Sequence, residues 1–168
     1  MSLIEVQSPG LQTTVQDLGR EGFGPVGVSP SGAADPIALR ISNRLVGNGE
    51  GVAALEMTLV GGTFLFPERS VVAFAGSDFG ATLDDVAVDM WTSVEVRSGQ
   101  TLRTGPTRTG ARCYLSVRGG IDVKLFLGFI GFFHRFIMDY AIIALPLTNI
   151  LKGVKKKCSR RKSSRGLD

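Results

Sequence analysis

Ala53-Ala54-Leu55-Glu56-Met57-Thr58-Leu59-Val60-Gly61-Gly62-Thr63-Phe64-Leu65-Phe66 holds two strand-length apolar runs, residues 53–59 and 63–66, parted by a glycine pair. Short runs bounded by turn residues predict β-strands. The pattern repeats downstream at residues 71–75, 86–88, 94–96, 101–103 and 111–117. The breaks are Pro67-Glu68-Arg69, Asp84-Asp85, Ser98-Gly99 and Gly105-Pro106. Even spacing of this kind points to a barrel or sandwich and not to alternating βαβ units. Upstream, Ile4 and Val6 alternate in a strand over residues 3–8 that runs into the turn Pro9-Gly10. One helix interrupts the β pattern near residues 35–47. Asp35 can cap it, Pro36 suits its first position, and Gly47-Asn48 closes it. Ile37, Ile41 and Leu45 recur every four residues along one face.

The chain changes character near Val123–Lys124. Residues 1–123 carry 9 Lys/Arg against 13 Asp/Glu, a charge of −4, whereas residues 124–168 carry 10 against 2, a charge of +8. Five of the ten phenylalanines lie between Phe126 and Phe136. In that region Phe126, Phe129, Phe133, Phe136 and Tyr140 fall three and four apart, the stripe of an amphipathic helix. Pro146 can start a second short helix, Leu147–Lys152, ended by Gly153 and followed by the basic run that includes Lys155-Lys156-Lys157. The expected organisation is therefore a domain at 1–123, a helical segment at 124–153 and a basic disordered tail at 154–168.

Composition narrows the function classes. Cys113 and Cys158 are far apart and show no metal-ligand spacing, which suggests a reducing, cytoplasmic compartment. The single histidine, His134, lies past the break, so residues 1–123 contain neither a histidine metal site nor a Ser-His-Asp triad. No metal ligand set is expected. The N-terminus carries no signal-peptide pattern. Residues 125–151 are apolar, but His134, Arg135 and Asp139 sit near their middle. Each such charge costs on the order of 3 kcal/mol in a bilayer, so no membrane span is expected.

Several motifs compete for attention. Gly22-Phe23-Gly24-Pro25-Val26-Gly27 spells a dinucleotide-binding pattern, but Pro30 and Gly32 follow at once and leave no helix N-terminus for a phosphate. It reads as a glycine-rich surface loop. Ser29 and Ser31 have neither the nucleophile-elbow register nor a histidine to activate them. Asp84-Asp85 reads as turn chemistry, not a metal dyad. The informative cluster is Gln12-Thr13-Thr14-Val15-Gln16-Asp17-Leu18-Gly19-Arg20. Polar side chains this dense beside a glycine loop are good site material. Asp17 and Arg20 can form a loop-stabilising ion pair or hold a carboxylate substrate between them.

Residues 9–20 together with Gly27-Val28-Ser29, Ser31-Gly32-Ala33, Asp35 and Asn43-Arg44-Leu45-Val46-Gly47-Asn48 resemble the allophanate hydrolase subunit 2 family. That family includes the C subunit of 5-oxoprolinase and the carboxyltransferase domain of biotin-dependent urea amidolyase. Glu56, Gly76 and the run from Cys113 to Val123 continue the likeness in order. The resemblance implies a mainly-β, cyclophilin-like barrel. It implies chemistry on small amides or carboxylates: ATP-dependent opening of 5-oxoproline, with ATP entering through partner subunits, or carboxyl transfer. No biotin-attachment motif is present, so a carrier would lie elsewhere. Gln12, Gln16, Asp17, Arg20, Asp35, Asn43 and Glu56 are the candidate substrate-binding residues; no catalytic role is assigned to any one of them. Members of the family continue into a second, related barrel half, so the resemblance also implies an incomplete site and impaired activity.

Residues 126–137, with Asp139-Tyr140, Ile143-Ala144 and Pro146-Leu147-Thr148, resemble the thumb and connection segment of a gypsy-type retrotransposon reverse transcriptase. Polymerase aspartates do not accompany them. Arg135, Lys152, Lys155, Lys156 and Lys157 are candidates for weak nonspecific contact with nucleic-acid phosphates. The alternative readings are thus a nucleic-acid-binding fusion and a chimeric product without a selected function.

Overall fold

Alternation along a strand sends successive side chains to opposite faces, and here that sorting builds two antiparallel sheets around one core. The computed structural model describes residues 4–20, 22, 25 and 30–122, which fall in the unit Met1–Val123. Among these residues the strands are β1 (Glu5–Ser8), β2 (Gln12–Gln16), β3 (Ala54–Thr58), β4 (Thr63–Phe66), β5 (Ser70–Gly76), β6 (Thr82–Leu83), β7 (Val86–Ala87), β8 (Ser93–Val96), β9 (Gln100–Arg103) and β10 (Arg112–Val117), with helix α1 (Pro36–Leu45) between β2 and β3. The first sheet has the order β1-β4-β9-β6-β7 and the second β2-β3-β10-β5-β8. The mainly-β reading with one short helix is borne out.

The core lies between the sheets. Phe64, Phe66 and Leu102 from the first meet Leu55, Met57, Val72, Phe74, Cys113, Leu115 and Val117 from the second. Strand β10 shows the sorting clearly. Cys113, Leu115 and Val117 enter this core, while Tyr114 turns to the opposite face and packs against Ala38 and Leu39 of α1. Burial pushes the Cys113 thiol up to about 12, with the Asp78 carboxylate adding to the effect, so it stays an inert core group at neutral pH.

The polar run 12–16, not among the expected strands, forms β2, an edge strand paired residue for residue with β3. Its density of glutamine and threonine hid it, although β-branched Thr13, Thr14 and Val15 favour extended backbone. The helix also turns its apolar stripe the other way. Asp35 caps α1 through Oδ1, which accepts from the N–H groups of Ile37 at 3.1 Å and Ala38 at 3.0 Å, as expected. The buried face, however, is Ala38, Leu39, Ser42 and Asn43, while Ile37 is 70% exposed and Ile41 37% exposed. Small and polar residues face the sheet because the sheet there offers Ala54, Ala75 and Tyr114 and Ser116. The Ser42 and Ser116 hydroxyls sit 2.7 Å apart. Ile37→Lys is therefore expected to change stability by less than about 0.5 kcal/mol, as measured by urea unfolding.

Asp84-Asp85 is a turn, as its residues predict. It joins β6 to β7, with Thr82 opposite Ala87 and Leu83 opposite Val86. Both aspartates have left-handed backbone, φ +46° and +68°, as a two-residue primed hairpin turn requires. Asp84 accepts the Thr101 N–H and the Gln100 amide, each at 2.9 Å. Asp78 accepts the Gly80 N–H at 2.7 Å and pairs with Arg108. Both carboxyls are held below the ordinary 3.8, first by the backbone N–H bond in each case. A depressed native pKa contributes stability above pH 3.8 that is lost as pH falls through the lowered values. The urea midpoint is expected to hold down to about pH 4 and to drop below it; the double variant Asp78→Asn, Asp84→Asn should flatten that drop.

Candidate functional site

The outer face of the second sheet carries a polar stripe set by strand register. Gln12 lies opposite Thr58, Thr14 opposite Glu56 and Gln16 opposite Ala54. On the other side of β3, Arg112 lies opposite Thr58 and Tyr114 opposite Glu56. Directly paired residues share a face, so Gln12, Gln16, Glu56, Arg112 and Tyr114 stand together, although β10 lies far beyond β3 in the chain.

Glu56 is the centre of this stripe and is only 5% exposed. Its Oε2 accepts the Tyr114 hydroxyl at 2.6 Å and the Ala34 N–H at 2.8 Å. Its Oε1 accepts Nη1 of Arg112 at 2.9 Å, and Arg112 also bonds the Thr58 hydroxyl. The Tyr114 oxygen in turn accepts the Asp35 N–H at 2.7 Å. Burial first, and then the Glu56 carboxylate, raise the Tyr114 phenol well above its usual range, so it remains a donor. The network clamps the segment before α1 onto the sheet and sets Asp35 beside Arg112 at the rim of an open depression.

The loops interlock next to it. The Arg20 N–H donates to the Pro30 carbonyl and the Ala33 N–H to the Asp17 carbonyl, each at 2.8 Å. This approach needs two glycines with positive φ. A Cβ on Gly19 would lie 2.4 Å from the Pro30 oxygen, and one on Gly32 would lie 2.6 Å from the Gly19 nitrogen. The Asp17 carboxylate accepts the Gly19 N–H at 2.7 Å and so shapes this turn. Gln16 bonds the Thr14 hydroxyl at 3.2 Å.

Asn43 sits elsewhere, fully buried beneath α1. Its amide donates to the carbonyls of Val52 at 2.6 Å and Glu50 at 3.2 Å. Its oxygen accepts the Ser116 hydroxyl at 3.0 Å. Asn48 extends the seam by donating to the Val117 carbonyl at 2.8 Å and accepting the Gly119 N–H at 2.9 Å. The two asparagines stitch the helix end to β10.

The structure thus gathers Gln12, Gln16, Glu56 and Asp35 on one face, places Asp17 and Arg20 in the adjoining loop, and separates Asn43 from them. Arg112 and Tyr114 belong to the cluster, yet residue type alone did not single them out. Their signal was the alternation of polar side chains through the apolar strand 111–117. Among the described residues no group of His, Cys, Asp or Glu is arranged to hold a metal, and no helix is long and apolar enough to cross a membrane. Ser29, the full Gly22–Gly27 motif, Arg135, Lys152, Lys155, Lys156, Lys157 and the whole tail reading lie outside the described residues.

Residues 26–133 match the family model described as carboxyltransferase domain, subdomain A and B. Urea amidolyase of Saccharomyces cerevisiae is 42% identical over 126 residues, covering 74% of this chain and 7% of that protein. The C subunit of 5-oxoprolinase from Escherichia coli is 43% identical over 128 residues, covering 75% of this chain and 41% of that protein. The crystal structure of the K. lactis urea amidolyase superposes with a TM-score of 0.70 at 43% identity, covering 72% of this chain and 7% of that one. The chain therefore spans less than half the length of these relatives.

Proposed function

The chain belongs to the family of the carboxyltransferase domain, subdomain A and B, and from that premise we propose that it supplies part of a site acting on a small amide or carboxylate compound together with partner polypeptides. The observation that carries this reading is the likeness to urea amidolyase over 74% of the chain and to a 5-oxoprolinase subunit over 75% of it. The favoured reaction is ATP-dependent opening of 5-oxoproline, with ATP bound by partner subunits. Carboxyl transfer to a urea-like amide, with biotin carried on another chain or domain, is the second reading, favoured by the urea amidolyase fold match.

The polar face supports either chemistry. A cyclic amide or urea presents a carbonyl oxygen that accepts hydrogen bonds, and a carboxylate presents a planar anion. The Arg112 guanidinium serves both, and the Gln12 amide stands in the same row of the sheet as Arg112, each opposite Thr58. The Asp35 carboxylate, with Oδ1 committed to the helix cap, has Oδ2 available for an N–H of the substrate.

The test is turnover. Purified full chain, mixed with the partner subunits of a 5-oxoprolinase, is expected to release glutamate, ADP and phosphate from 5-oxoproline, ATP and water. If the mixture is silent while the full-length Escherichia coli relative in the same place is active, the proposal is wrong for this chain.

A further inference from the structure

Among the described residues the two sheets end on four strands, β1, β7, β2 and β8, and three of these edges are guarded. The pairing of β1 is broken by a register shift between Val6 and Ser8, and β7 is two residues long. Just past β2, the Asp17 carbonyl is taken by the Ala33 N–H. Irregular pairing, short length and covering loops are common ways for a sheet to avoid adding another strand. β8 has none of the first or the last. It runs in unbroken register with β5, from Ser70 opposite Val96 to Ala73 opposite Ser93.

Register fixes where its backbone points. The Arg118 N–H donates to the Val71 carbonyl at 2.8 Å, so Val71 and Ala73 face β10 with their backbone groups, and Ser70 and Val72 face β8. Antiparallel pairs alternate in this way. Val94 and Val96 therefore direct their groups to β5, and Ser93 and Glu95 direct theirs away from the sheet. Arg97 comes next, but Gln100 closes it off. The Gln100 Oε1 accepts the Arg97 N–H at 2.8 Å, and the Gln100 N–H reaches the Arg97 carbonyl at 3.2 Å. Ser93 and Glu95 are left with two donors and two acceptors, none with a partner among the described residues.

The side chains suit a second edge of the same kind. Ser93 and Glu95 share the outer face, opposite Ala73 and Val71. Glu95 is paired with Arg69 of its own chain at 2.7 Å, so two such edges meet without an uncompensated charge. Val94, on the inner face, is partly buried against the core.

We propose that β8 is a self-pairing edge, on which a second copy of this chain lays its own β8 antiparallel about a two-fold axis at Val94. Ser93 of each copy then lies opposite Glu95 of the other. Each such pair exchanges two N–H···O bonds, and the Ser93 hydroxyl donates to the opposite carboxylate. Val94 meets its symmetry mate as a non-hydrogen-bonded pair, with about 4.5 Å between Cα atoms. Moving one strand by two residues would set Glu95 against Glu95, a like-charge pair that destabilises. The face around Glu56 lies on β3, three strands in from this edge, so the pairing does not rest on the reaction proposed above.

An edge this short buries far less than the about 1,200 Å² of a stable interface, so the dimer is weak. Sedimentation velocity of the full chain is expected to show a monomer–dimer equilibrium at about 0.1–1 mM chain. Ser93→Pro removes one outward N–H at the first residue of the strand, where proline is accepted. It should raise the dissociation constant at least tenfold, with folding checked by circular dichroism. Ser93→Asp, which sets a carboxylate opposite Glu95, should do the same through charge. Val94→Cys in a Cys158→Ser background should form a disulfide-linked dimer on mild oxidation, because the symmetric pair falls within the about 4.4–6.8 Å that a disulfide spans between Cα atoms. The proposal is overturned by a monomer at all of these concentrations. It is equally overturned by self-association that folded Ser93→Pro and Ser93→Asp leave unchanged, or by a dimer that Val94→Cys does not cross-link.

Discussion

Glu56→Ala is expected to cost about 3 kcal/mol of stability, near the lower end of the roughly 3–5 kcal/mol typical when one partner of a buried ion pair is removed. The lower end applies because Arg112 retains 36% side-chain exposure and can recruit water. The Tyr114 hydroxyl and the Ala34 N–H lose their carboxylate acceptor, and the Arg112 guanidinium keeps only the Thr58 hydroxyl. The segment before α1 should then loosen, because it keeps only the Asp35 N–H to Tyr114 and the Ala33 N–H to the Asp17 carbonyl. Urea unfolding of the full chain measures the loss. Glu56→Gln, which keeps one oxygen acceptor, should recover part of it. A cost below about 1 kcal/mol would mean that Glu56 is not the clamp and is free for another role.

Asn43→Ala is expected to cost about 2–4 kcal/mol. Burial is complete at Asn43, and the change takes the side-chain donor from the Val52 and Glu50 carbonyls together and leaves the Ser116 hydroxyl with Ser42 alone. An unsatisfied buried polar group costs about 1–3 kcal/mol, and some of this is recovered by rearrangement. Asn43→Asp should be nearly as damaging, since a carboxylate cannot donate to the two carbonyls. Unfolding midpoints of both variants, read beside the turnover of whatever fraction stays folded, separate a structural asparagine from a substrate-binding one. Full stability in Asn43→Ala would overturn the structural assignment.

These two residues illustrate how site candidates look in a sequence. Glu56 and Asn43 stand out as polar groups in otherwise apolar surroundings, but residue type is silent on whether they face a ligand or the protein. For Asn43 the answer came from carbonyls seven and nine residues downstream and a hydroxyl on β10. For Glu56 it came from Arg112 and Tyr114, on a strand that register alone brings alongside. The converse holds for Arg112, ordinary in sequence and prominent only once register sets it beside Glu56.

Local physics determined much from the chain alone. Glycine and proline punctuation marked the strand breaks, Asp35 and Pro36 announced the helix start, and Asp84-Asp85 announced a turn. Each of these depends on interactions within a few residues. Tertiary structure decided the rest. It made the polar run 12–16 an edge strand, because pairing with β3 satisfies its backbone whatever its side chains prefer. It turned Ile37 and Ile41 outward, because the sheet beneath α1 admits only a small, hydrogen-bonding face. And it drew the polar face from β2, β3 and β10, since strand register couples residues tens of positions apart and no local rule reports it.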